Sequence, residues 1–135
     1  MLTKKDEISD LGTYDFFIRK IRYHLNLIRF RAIKFNIEKR LIVHLIDNIN
    51  AQLPTLLSEG NWVKLKKLIV RKLKPVIKSL EKEYSAKARH HSEAYIINKA
   101  LQDIQVDIDI INKKYIREYV RFLRHLRKKG KIPIK

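Results

Sequence analysis

The chain has 135 residues, 31 Lys and Arg against 14 Asp and Glu, a net charge of +17 and 45% hydrophobic residues. That length allows one core of three or four helices, the apolar content sets the chain apart from disordered ones, and so large a positive excess implies a polyanionic partner. With no Cys there is neither a disulfide framework nor a thiolate metal site, and the longest mainly apolar run, 41–46, falls far short of a spanning helix or a signal peptide, so a soluble, unsecreted protein is expected.

Only three Gly and three Pro punctuate the chain, at Gly12, Pro54, Gly60, Pro75, Gly130 and Pro133, which makes long helices the default. Residues 1–12 read as a polar N-terminal arm, 13–129 as the helical bundle and 130–135 as a basic C-terminal tail. The first helix is expected to begin after Thr13, a capping residue, and to run to Leu53, where Pro54 removes a donor; Asn36 is the expected bend, which would divide it in two. Its stripe is Phe17, Ile21, Leu25, Ile28, Ala32 and Phe35, continued by Ile37, Leu41, Leu45 and Ile49. A second apolar set, Phe16, Tyr23, Leu27 and Phe30, lies roughly opposite. A helix that wants burial on two faces suits a place between its own core and a neighbouring subunit, so these four are the expected subunit interface.

The next long helix starts at Asn61, a good cap after Gly60, with Trp62, Leu65, Ile69, Leu73, Val76 and Leu80 as its stripe and a kink expected at Pro75. A break near His90, His91 and Ser92, with Ser92 as cap, precedes the last helix. Its stripe, Ile97, Leu101, Ile104, Ile108, Ile111 and Tyr115, is extended by Phe122 and Leu126. The fold class is therefore all-α, a bundle of three to four long helices. No strand alternation, repeat or low-complexity tract is visible.

The charge is concentrated in three patches. Residues 16–40 carry Arg19, Lys20, Arg22, Arg29, Arg31, Lys34, Lys39 and Arg40 against Glu38 alone; residues 62–78 carry Lys64, Lys66, Lys67, Arg71, Lys72, Lys74 and Lys78 and no acid. Residues 113–135, including Arg117, Arg121, Arg124 and Lys128, have a single acid, Glu118, whereas 92–112 is net acidic. In an up-down bundle the second and third patches meet at one end. Phosphate contacts are expected from Arg19, Lys20, Arg22, Arg29, Arg31 and Lys34 on the first helix, and from Lys66, Lys67, Arg71, Lys74, Arg117, Arg121, Arg124 and Lys128 in the merged patch.

Nothing in the sequence points to catalysis. His90 and His91 point ~100° apart on a helix and cannot chelate one metal from one face. Asp103 and Asp107 share a helical face, but with no partnering His nearby in sequence a salt-bridging or interface role is the expectation. There is no phosphate loop, nucleophile elbow or metalloprotease helix, so a non-enzymatic protein without metal or cofactor is expected.

A short polar arm, long basic helices, no Cys and a composition rich in Lys and Ile together resemble the major coat proteins of filamentous and rod-shaped archaeal viruses, the filamentous, enveloped group being the nearer likeness. The resemblance covers the whole chain as a pattern. It implies a nucleocapsid protein that pairs with itself or with a related coat protein as a homo- or heterodimer and wraps linear double-stranded DNA, in an A-like form, within a helical filament. Such a protein would reside in the virion, and in the host cytoplasm before assembly. Two other readings stand beside it: a DNA-binding regulator or chromatin-like protein, with the Gly60 region as its only candidate helix-turn-helix, and a helical adaptor at an anionic membrane or protein surface.

Overall fold

The computed structural model describes residues 4–130, with side chains from Gly12 onward. Four helices form an antiparallel bundle: α1 (Lys4–Lys34), α2 (Lys39–Ser58), α3 (residues 62–87) and α4 (residues 92–128). There is no strand among the described residues. Each helix packs on its neighbours in chain order and α4 closes the ring against α1, so α1 and α3 sit at opposite corners. Helical backbone reaches back to Lys4, so residues 4–12, expected as an arm, form the first turns of α1. From residue 131 the expected basic tail lies outside the described residues.

The bend at Asn36 is present and has a clear cause. Asn36 takes a left-handed φ of 52°, while the amides of Asn36 and Ile37 bond back to the carbonyls of Ile33 and Ala32. This pairing ends a helix cleanly and places Ile37, fully buried, over Ala32. Gly60, at φ 69°, ends α2 in the same way, its amide on Leu57 and that of Asn61 on Leu56. Because the bend resets the helical phase, α2 buries Ile42, Ile46, Ile49, Leu53, Leu56 and Leu57. The expected stripe through Leu41 and Leu45 does not hold: Leu41 is exposed and Leu45 half-buried.

Pro54 does not end α2 at Leu53 as expected, for the helix continues to Ser58. An interior proline costs about 3 kcal/mol. Continuing the helix buries Leu56 and Leu57, each worth roughly 1.5–3 kcal/mol, which is enough to offset it. The carbonyl that Pro54 cannot serve belongs to Asn50, and it accepts a hydrogen bond from Arg22 Nη2 of α1 at 3.0 Å.

Asn61 caps α3 as expected, its side chain accepting from the Lys64 amide. Within α3, residues Lys67–Leu73 are wound wider, with i→i−5 bonding such as the Lys74 amide to the Ile69 carbonyl. Pro75 follows this stretch and the helix passes through it. The widening explains the core pattern, because Leu65, Ile69, Leu73 and Ile77 are all fully buried although a four-residue step would drift off one face of a regular α-helix. Ile77 thus takes the place expected of Val76, which is half-buried. In α4 the helix starts at Ser92 with His91 at the cap position, so the expected Ser92 cap is not made. A second wide stretch, Ile110–Ile116, carries α4 on to the buried Tyr119 and Leu126.

Candidate nucleic-acid interface

The antiparallel order brings the start of α3 and the end of α4 together, as expected for the second and third basic patches. An open groove of about 440 Å³ runs between them, lined by Trp62 and Lys66 from α3 and by Asn112, Lys113, Ile116, Arg117, Val120, Arg121 and Arg124 from α4. Five of the nine are cations and none is acidic. Lys113 lies 3.9 Å from Asp109, while Lys66, Arg117, Arg121 and Arg124 are exposed and make no ion pair among the described residues. Trp62 and the apolar Ile116 and Val120 form the groove's wall. Of the other residues expected in this patch, Lys67, Arg71 and Lys128 are exposed but do not line the groove, and Lys74 is held at 3.7 Å from Asp109.

The first patch is organised differently, because each of its four expected phosphate-binding arginines is engaged within the chain. Arg19 Nε meets Asp15 at 2.9 Å and Arg29 Nε meets Asp47 at 2.9 Å. Arg22 fills the proline vacancy at Asn50, and Arg31 pairs with Asp107. The two lysines lie over rings, Lys20 at 5.8 Å from Phe16 and Lys34 at 5.8 Å from Phe30 and 5.4 Å from Phe35. The expected interface set divides by exposure: Phe16, Tyr23 and Phe30 face outward and Leu27 is half-buried.

Asp107 is the one buried charged residue among those described. His24 Nδ1 lies 2.8 Å from one of its carboxylate oxygens and the Arg31 guanidinium bonds the other, tying α1 to α4. The salt-bridging role expected of this residue is thus present. Its histidine partner is invisible in the sequence because it lies 83 positions away. Asp103, on the same helix, is exposed, and the two carboxylates are not brought together as a pair. No group of three or more His, Cys, Asp or Glu suited to a metal ion occurs among the described residues, and no helix of the described chain is long and apolar enough to cross a membrane.

Beside the groove, the Tyr119 hydroxyl donates to the Leu57 carbonyl at the end of α2. Burial raises its pKa well above the ordinary tyrosine value, helped by the neighbouring Tyr14 and opposed by the Gly60 amide. Tyr119 also packs edge-to-face against Tyr14 and Phe17, while Phe122 stands edge-on to Tyr14. This aromatic cluster anchors the end of α4 that carries the groove's arginines. No protein-family model, curated protein or solved structure matches the chain.

Proposed function

We propose that this chain is a packaging or coat protein that binds double-stranded nucleic acid, DNA above all, through its phosphates and without reading bases, with the groove between α3 and α4 holding one strand. The observation that supports this most directly is the division among the cations. The described arginines of α1 are each bonded within the chain, whereas Lys66, Arg117, Arg121 and Arg124 converge on a groove where no acid among the described residues pairs with them.

Like charges one turn apart cost roughly 0.2–0.5 kcal/mol per pair on a helix. Phosphates remove that cost and release their condensed counterions as they bind. Lys113, Arg117 and Arg121 follow each other at four-residue steps, ~6 Å along the axis, the scale on which phosphates follow one another along a strand. Lys and Arg on such a track fix position and carry no base information of their own. Subunits lying side by side on the nucleic acid would meet through Phe16, Tyr23, Leu27 and Phe30. The further step to the helical filament of an archaeal virus is supported by the helical pattern and the charge.

Titration with long duplexes tests the reading. A coat saturates DNA at one subunit per few base pairs, unrelated sequences compete equally, and with ~6 phosphates neutralised the affinity falls ~10³-fold between about 50 and 200 mM salt. A several-hundredfold preference for one sequence would establish a regulator instead, and binding to anionic vesicles but not to DNA would establish an adaptor.

A further inference from the structure

The outward face of α1 has a regularity that binding in the groove does not use. Phe16, Tyr23 and Phe30 are 37%, 59% and 60% exposed and stand seven residues apart, so they line up along the helix at intervals of ~10 Å. At roughly 150–250 Å² per aromatic side chain, these fractions leave about 300 Å² of aromatic surface in water, at the lower end of the largest apolar patches that monomers carry, which are often functional. It would supply over a third of the ~800 Å² that one partner contributes to a standard interface. Two of the cations on and beside this face, Arg19 and Arg29, are neutralised by Asp15 and Asp47. Of the others, Lys20 and Lys34 are each laid over a ring and Arg22 is turned to the Asn50 carbonyl.

We propose that a second copy of this chain covers this face, with the two α1 helices antiparallel across a two-fold axis beside Tyr23. The order Phe, Tyr, Phe reads the same in both directions, so such an axis sets Tyr23 against Tyr23 of the partner subunit and Phe16 against Phe30 of the partner subunit. Closed two-fold pairing needs this kind of self-complementary patch. Charge selects the antiparallel arrangement. A parallel pair would set Lys20 against Lys20 of the partner subunit and Lys34 against Lys34 of the partner subunit. In the antiparallel pair Lys20 is level with Asn26 of the partner subunit. Lys34 is level with Gly12 of the partner subunit, one turn from Asp15 of the partner subunit. A side chain at Gly12 would meet nothing within 4 Å among the described residues, which leaves room for the lysine stem. The contact does not depend on the groove, to which α1 contributes none of its described side chains.

The absence of Cys makes cross-linking a clean test, because a single introduced thiol has no competitor. Facing Cα atoms of packed helices come within the ~7 Å that a disulfide tolerates. The measurement is made without nucleic acid at about 0.15 M salt, where charges more than ~8 Å apart are screened while facing lysines still repel. Mild oxidation is expected to convert Tyr23→Cys largely to a covalent dimer. Phe16→Cys and Phe30→Cys are each expected to stay monomeric alone and to cross-link when mixed. In sedimentation, the parent chain is expected to run as a dimer at about 100 µM, well above a micromolar Kd, and Tyr23→Asp as a folded monomer that still binds duplex DNA. Self-cross-linking of Phe16→Cys, failure of the Phe16→Cys and Phe30→Cys mixture, or a monomeric parent chain at that concentration would overturn the proposal. Since no nucleic acid is present in the cross-linking, a failed groove would leave its outcome unchanged.

Discussion

Replacing Arg117, Arg121 and Arg124 together by Gln removes three of the groove's five cations without touching the core, because all three side chains are exposed and unpaired among the described residues. If each holds one phosphate, the slope of log K against log salt should shrink by ~2.7, that is ~0.9 per contact. The counterion term for three contacts is then worth ~500-fold in affinity at about 0.1 M salt and vanishes towards 1 M. Fluorescence anisotropy of a labelled duplex at four or five salt concentrations measures both quantities, and circular dichroism checks that the variant is still helical. Arg19→Gln, whose partner Asp15 is on the same helix, serves as the control and should lower the slope by well under one. An unchanged slope in the triple variant, or a larger loss in the Arg19 control, would refute the assignment of the phosphate track to α4.

The remaining expectations concern how the bundle holds the groove. Tyr119 has its folded-state pKa raised, so the folded protein retains a proton that the unfolded chain loses above about pH 10; its contribution is complete below that pH and is lost above it. Urea denaturation between pH 9 and 11.5 should therefore show stability falling by up to ~1.4 kcal/mol per pH unit from this group, and Tyr119→Phe should remove that part of the slope. Asp107→Ala strands Arg31 and should cost about 3 kcal/mol, the lower end for a broken buried pair because Arg31 keeps 27% side-chain exposure; a loss under 1 kcal/mol in chemical denaturation would show that the link between α1 and α4 is dispensable. Arg22→Gln should cost about 1–3 kcal/mol by leaving the Asn50 carbonyl unserved, and much less in a Pro54→Ala background, where the restored backbone amide can bond that carbonyl; equal costs in the two backgrounds would separate the arginine from the proline.

Much of this protein could be read from the chain. Helical periodicity marked the stripes of α1 and α4, Asn36, Gly60 and the His90–His91 pair marked the three turns, and the alternation of basic and acidic segments showed that two patches would merge at one end. These are local properties, set by neighbours three, four or seven positions away, and a linear sequence displays them. What it does not display is which cation finds an acceptor. Arg19, Arg29 and Arg31 look like Arg117, Arg121 and Arg124 in the sequence, yet Asp47 and Asp107 reach the second and third of the first set from other helices, and no acid among the described residues pairs with the second set. The phase of the core behind the bend and through the wide stretches was hidden for the same reason. Ile42 rather than Leu41, and Ile77 rather than Val76, face inward because packing against other helices rewarded a shift of register that local propensity does not specify. Tertiary structure thus decided which charges remain free. An ion pair depends on distance through space, and folding brings together residues such as His24, Arg31 and Asp107 that the chain keeps 76 to 83 positions apart.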